Sequence, residues 1–116
     1  MAEVIGDALD IEAELEPRGA SAVVLNVRGV SIEYAPGLLK CLGNSAPLEP
    51  VDGKIRLRVL VDRTSIEVFA NDGAASISAT TLPAQDKKSV ELFADRGVAR
   101  IVSLKVHQMH GVATQN

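Results

Sequence analysis

At 116 residues, with 47% apolar and 23% charged side chains, the chain has the make-up of one ordinary globular domain, neither disordered nor fibrous. Its net charge is −3 and its twelve basic residues are scattered singly or in pairs such as Lys87-Lys88, so no cationic stripe exists for a nucleic-acid backbone. No apolar run approaches the roughly 20 residues that cross a bilayer as a helix, and the single cysteine, Cys41, excludes an intrachain disulfide and reads as a small buried hydrophobe.

In chain order, residues 1–6 read as an N-terminal extension. From Asp7 to Glu16, Leu9, Ile11, Ala13 and Leu15 alternate with Asp10, Glu12, Glu14 and Glu16. Ala, Glu and Leu favour helix, but apolar residues at every second position would be spread around a helix, so the segment reads as a strand with an acidic outer face. Pro17-Arg18-Gly19 is a turn, and Ala22–Arg28 is a strand leading through Gly29 into Val30–Tyr34. Pro36-Gly37 breaks the pattern, Leu38–Leu42 forms a short strand, and Gly43 to Gly53, with Pro47 and Pro50, reads as a loop.

The stretch from Lys54 to Gly73 is the most informative. Ile55, Leu57, Val59 and Val61 share one face of a strand, with Lys54, Arg56, Arg58 and Leu60 on the other. Asp62-Arg63-Thr64-Ser65 is a turn. The next strand sets Ile66, Val68 and Ala70 against Ser65, Glu67 and Phe69, and Asn71-Asp72-Gly73 ends it with a strong turn signal. Ala75–Thr80 is a small-residue strand ended before Pro83. Ser89–Ala94 and Val98–Val106 follow, joined by Asp95-Arg96-Gly97 as a hairpin connection. Residues 7–107 thus form the domain, with 108–116 a flexible tail. Nine short strands and no helix to serve as a crossover predict an all-β chain, folded as a two-sheet antiparallel sandwich.

The run Leu57 to Gly73, with Val61-Asp62-Arg63, Ser65, Glu67-Val68-Phe69 and Asn71-Asp72-Gly73, resembles the C-terminal β-sandwich domain of glycoside hydrolase family 32, the invertase, levanase and inulinase group. Ala46-Pro47-Leu48, Asp52-Gly53, Glu91–Ala94, Gly97 and Ile101–Leu104 extend the resemblance over roughly Gly6 to Val106. It implies a concanavalin- or galectin-like jelly roll. It also implies a separate catalytic propeller, whose aspartate nucleophile, glutamate acid and Arg-Asp-Pro element have no counterpart in this sequence. Met109-His110-Gly111 stands where family members often end the last strand with a Trp.

Asp62, Glu67 and Asp72 are the carboxylates that could be taken for a glycosidase pair, which needs two groups roughly 5–10 Å apart across a sugar. Their placement favours structure. Asp62 and Asp72 lie in turns, where a carboxylate accepts nearby backbone N–H groups, and Glu67 reads as half of an ion pair with Arg63, Arg56 or Arg58. Together with Ser65, Phe69, Asn71 and Gly73 these residues form a structural motif, and no residue reads as catalytic. His107 and His110, with Glu91 and Asp95, fall short of the three or four converging ligands of a metal site. The stripe Asp10, Glu12, Glu14 and Glu16 reads as a solvated face blunting an edge strand, with calcium as the sharper alternative. No cofactor is called for.

Rings are few: only Tyr34, Phe69 and Phe93. Tyr34 with Asn26, Arg28 and Glu33 is the candidate carbohydrate site, a shallow polar patch on one sheet. The expected function is a non-catalytic accessory domain of a fructan- or sucrose-hydrolysing enzyme, stabilising the propeller as its partner and assisting oligomerisation. The alternatives are a weak carbohydrate-binding module and a stand-alone protein that self-associates as a homodimer. Met1-Ala2-Glu3 reads as no signal peptide, whereas the resemblance implies a secreted or periplasmic parent, and the sequence leaves open a piece of a longer precursor or a stand-alone gene product.

Overall fold

The computed structural model describes residues 8–62, 64–80 and 90–109, with side chains through residue 107. Among these residues ten strands form two five-stranded antiparallel sheets: β1 (Ala8–Glu16), β2 (Ala22–Val27), β3 (Val30–Ala35), β4 (Gly37–Cys41), β5 (Asn44–Leu48), β6 (Ile55–Val61), β7 (Ser65–Ala70), β8 (Ala75–Thr80), β9 (Val90–Asp95) and β10 (Arg100–Met109). One sheet has the order β10-β1-β6-β7-β8 and the other β5-β4-β3-β2-β9. The chain lays down β1, crosses to build β2–β5 as a meander, returns for β6–β8, and then adds β9 to one sheet and β10 to the other.

Alternation explains each layer. Leu9, Ile11, Ala13 and Leu15 of β1 are buried, as are Ile55, Leu57, Val59 and Val61 of β6 and Ile66, Val68 and Ala70 of β7. Val23, Leu25 and Val27 with Val30, Ile32, Tyr34, Leu39 and Cys41 supply the opposing layer. Each fully buried Ile, Leu or Val removes enough apolar surface from water to stabilise by about 1.5–3 kcal/mol. Burial pushes the Cys41 thiol above its ordinary pKa, in keeping with an inert core position.

Three expectations are corrected. Asn44–Leu48 is a strand, not loop: Pro47 lies opposite Leu38 in β5, an edge position where the missing N–H is tolerated. Asp95-Arg96-Gly97 is a turn with left-handed φ at Arg96 (58°) and Gly97 (111°). It joins no hairpin, because β9 pairs with β2 and β10 with β1. The acidic β1 is no edge strand either, since β10 and β6 flank it.

The sandwich closes unevenly. β5 and β8 approach one another along one margin. Along the other, Ile101, Leu104 and Val106 of β10 stand opposite Leu15, Ala13 and Ile11, and therefore on the core-facing side, yet remain 49%, 39% and 44% exposed. Val90, Leu92 and Ala94 of β9 are only half-buried. The β1–β10 register slips between Glu14 and Leu15, which pair with Ser103 and Ile101, leaving Val102 as a bulge that bends the strand.

Candidate functional site

The β6–β7 hairpin is pinned at both ends. At the first turn Asp62 Oδ1 accepts hydrogen bonds from Thr64 N (2.9 Å), Ser65 N (2.9 Å) and Ser65 Oγ (3.1 Å), while Asp62 N donates to Ser65 O at 3.0 Å. The Thr64 N–H is the largest influence holding the Asp62 carboxyl below its ordinary pKa, helped by Ser65 and opposed by partial burial. At the far end Asn71, with φ 48°, ties three segments together. Its Oδ1 accepts from Arg56 N at 2.8 Å, its Nδ2 donates to Glu49 O at 2.9 Å, and its own N donates to Arg56 O at 2.8 Å.

The three carboxylates weighed above do not converge. Six residues of β7 span about 20 Å, which sets Asp62 and Asp72 at opposite ends of the strand, well beyond the separation of a glycosidase pair. Asp72 differs from its expected turn-capping role: its carboxylate is 85% exposed and faces Arg56 Nη1 at 3.7 Å, and Asn71 does the tying. Glu67 lies on the exposed outer face opposite Leu60 and Ser78. Of its three expected partners Arg58 binds Asp10 and Arg56 binds Glu14 and Asp72, while Arg63 lies outside the described residues. Ser65 and Phe69 are half-buried, and Gly73 N donates to Ala70 O at 3.1 Å to finish the turn.

The four carbohydrate candidates are split between faces. Tyr34 is 4% exposed on the core side, its Oη accepting from Gly37 N at 3.3 Å, and Arg28 is buried at the β2–β3 turn with φ 51°. Only Asn26 and Glu33 face outward, and Asn26 Oδ1 already accepts from Ser31 Oγ at 2.5 Å. A period of two places residues 33 and 34 on opposite sides of one strand, so they cannot share a patch. His107 is exposed opposite Asp10, whereas Glu91 and Asp95 belong to the other sheet and His110 lies outside the described residues.

The acidic stripe is matched by cations from both neighbouring strands and from the segments beside them. Arg58 meets Asp10 at 2.8 Å, Lys54 and Arg56 meet Glu14 at 3.7 and 4.0 Å, and Arg18 and Arg100 meet Glu16 at 3.1 and 3.8 Å. Glu12 sits in register between Lys105 and Arg58. Part of this lattice, Glu12, Glu14, Arg56, Arg58 and Lys105, lines a groove of about 700 Å³ on the outer face of the β10-β1-β6-β7-β8 sheet, with Phe69 and the β7–β8 turn at one end. Alternation had placed Asp10, Glu12, Glu14 and Glu16, and Lys54, Arg56 and Arg58, on the outer faces of their own strands. That β10, β1, β6 and β7 lie side by side was not readable from it.

Fold and surfaces together define a two-sheet, galectin-like antiparallel sandwich domain in which Asp62 serves a turn and Asp10, Glu14, Glu16 and Asp72 serve ion pairs. The chain belongs to glycoside hydrolase family 32 as its C-terminal domain, not the catalytic one: the family described as "Glycosyl hydrolases family 32 C terminal" matches residues 36–108. It is 46% identical over 68 residues to a levanase of Bacillus subtilis (strain 168), covering 59% of this chain and 10% of that protein. It is 36% identical over 69 residues to a levanase of Bacillus sp. (strain L7), covering 60% and 8%. The chain therefore spans a tenth or less of the length of these relatives.

Solved structures extend the likeness of fold to nearly the whole chain. The exo-inulinase of Aspergillus awamori superposes with a TM-score of 0.79 at 19% identity, over 91% of this chain and 26% of that one. Sheep galectin-11 superposes with a TM-score of 0.58 at 19% identity, over 86% and 89%.

Proposed function

We propose that this domain is the non-catalytic accessory sandwich of a fructan- or sucrose-hydrolysing enzyme, and that it stabilises the catalytic domain by packing its β9/β10 margin against it. The observation that carries this reading is the exposure of Ile101, Leu104 and Val106 on the core-facing side of β10. Side chains aimed at a hydrophobic interior but left half in water mark a core that continues into another body. The levanase relatives support the reading, since they are at least ten times longer than the stretch they share with this chain. The separation of Asp62 from Asp72 supports a supporting role over a chemical one.

The purified chain is expected to release no fructose from sucrose, inulin or levan; release that co-purifies with the protein through successive columns overturns the non-catalytic reading. Docking is tested by joining the chain behind the catalytic part of the Bacillus subtilis levanase in place of its own matching segment. The chimera is expected to melt several degrees above a version carrying Leu104→Asp, with circular dichroism showing the sandwich equally folded in both. Equal melting temperatures overturn the docking margin.

A further inference from the structure

Two successive cross-strand rows line the groove on the outer face of the β10-β1-β6-β7-β8 sheet. One runs Lys105, Glu12, Arg58, Phe69; the other brings Glu14 and Arg56 up to Asp72 in the β7–β8 turn. The rows cross four strands, so the groove extends about 14 Å, which suits a short chain molecule better than a single ring. Three cations and three carboxylates lie along it, and they alternate in sign from strand to strand.

That balance selects the ligand. A polyanion would meet as many carboxylates as cations, and a polycation the reverse, so neither gains from the field of the groove. A neutral molecule rich in hydroxyls suits it, because each hydroxyl can donate to a carboxylate and accept from a guanidinium or ammonium on the adjacent strand, and hydrogen bonds with one charged partner are the stronger kind. Opposite charges on adjacent strands bias these side chains towards one another, and one of them is firmly anchored. Arg56 lies 4.0 Å from Glu14 and 3.7 Å from Asp72, and Arg58 is anchored at 2.8 Å on Asp10 just beyond the groove. Phe69, half-buried at the end of its row, offers an apolar surface to the C–H face of a sugar ring. Of the three rings in the chain, Tyr34 is buried and Phe93 is on the other sheet.

We infer that this groove binds a short neutral oligosaccharide, with Phe69 as its stacking platform and Arg56, Glu14, Arg58 and Glu12 as its hydroxyl-binding residues. The inference does not rest on the docking margin, whose side chains Leu104 and Val106 point to the opposite face of the sheet. It rests on the accessory-domain reading only in making fructans the first probe.

The test is a titration of the isotope-labelled chain, followed by NMR, with inulin-type and levan-type oligosaccharides, a neutral galacto-oligosaccharide, and a sulfated oligosaccharide as the charged comparison. Saturable shifts confined to amides of β1, β6, β7 and the β7–β8 turn are expected with at least one neutral saccharide. Phe69→Ala and Arg56→Gln, both at outward-facing positions, should each weaken that binding by about tenfold or more while leaving the remaining spectrum dispersed. No response to any neutral saccharide, tighter binding of the sulfated one, shifts centred elsewhere, or undiminished binding by both variants overturns the inference. The levanase chimera is scored by its melting temperature, so failure here and failure of the docking margin are separately visible.

Discussion

Arg58 grips Asp10 at two points, Nε to Oδ1 at 3.2 Å and Nη2 to Oδ2 at 2.8 Å, across 48 residues of chain. The two are diagonal neighbours: Arg58 pairs in register with Glu12, and Asp10 with Leu60. A guanidinium of one strand thus binds one carboxylate of the next and stands in register beside a second. This joins β1, which arrives early in the chain, to the β6–β7 hairpin, and it lays down the alternating charge of the groove at the same time.

The consequence is a specific acid sensitivity. The Arg58 hydrogen bond, followed by the charges of Arg58 and His107, holds the Asp10 carboxyl below its ordinary value against the opposing effect of burial, and the turn N–H groups do the same for Asp62. Both groups take up protons more readily when unfolded, so their stabilisation is present above the ordinary carboxylate pKa and is lost as pH falls through the depressed folded values. The melting temperature should therefore hold steady from neutral pH to about pH 4 and drop below it. The Asp10→Asn, Asp62→Asn double variant should melt lower at neutral pH and show a shallower acid decline; calorimetric scans from pH 7 to 2 with parallel slopes would refute this.

Replacement of Ile66, fully buried opposite Val61, by Ala should lower stability by about 2–5 kcal/mol through lost burial and a residual cavity. Arg56→Ala, at a side chain 62% exposed, removes only surface ion pairs and should change stability by about 1 kcal/mol or less. Urea titration of the two variants measures both, and similar losses would mean the hairpin faces are assigned the wrong way round.

Asn71 and Asp72 are neighbours with unequal duties. Asn71→Ala leaves the Arg56 N–H and the Glu49 carbonyl without their side-chain partner and should destabilise by about 1–3 kcal/mol. Asp72→Ala removes one exposed contact to Arg56 and a residue type suited to the left-handed φ of 58°, and should cost no more than about 1 kcal/mol. Asn71→Asp separates the two roles of the amide, keeping the acceptor for Arg56 and losing the donor for Glu49. It should fall between the other two in a denaturant series.

Much of the fold was legible because period-2 alternation states which side of a strand is dry. Leu9 to Leu15, Ile55 to Val61 and Ile66 to Ala70 all bury the side chains that alternation selects. β5 escaped because Pro47 and its flanking glycines carry turn chemistry, and only its edge location reconciles proline with pairing. The charge groove escaped for a different reason. It is assembled by pairings between segments tens of residues apart, β1 with β6 and β1 with β10, and no local pattern reports those. The carbohydrate patch imagined around Asn26, Arg28, Glu33 and Tyr34 overlooked that consecutive strand residues face apart.

The β9–β10 connection shows the same limit and yields a last test. Gly97 correctly signalled a turn, but local chemistry does not say whether the next strand folds back onto its neighbour or leaves for the other sheet. Here Ser21 N donates to Arg96 O at 2.8 Å, holding the turn against the start of β2 as the chain crosses over. Gly97 adopts φ 111°, and a Cβ there would lie 3.0 Å from Ala20 Cα and 3.1 Å from Gly19 O, both backbone atoms with little freedom to yield. Gly97→Ala therefore combines an unfavourable dihedral with a clash and should destabilise by more than about 1 kcal/mol. Gly19→Ala, with open space around its Cβ, should be close to neutral. If thermal melts place the two variants together, the close approach of the crossover to the β1–β2 turn is wrong, and with it the way β10 is delivered to the edge beside β1.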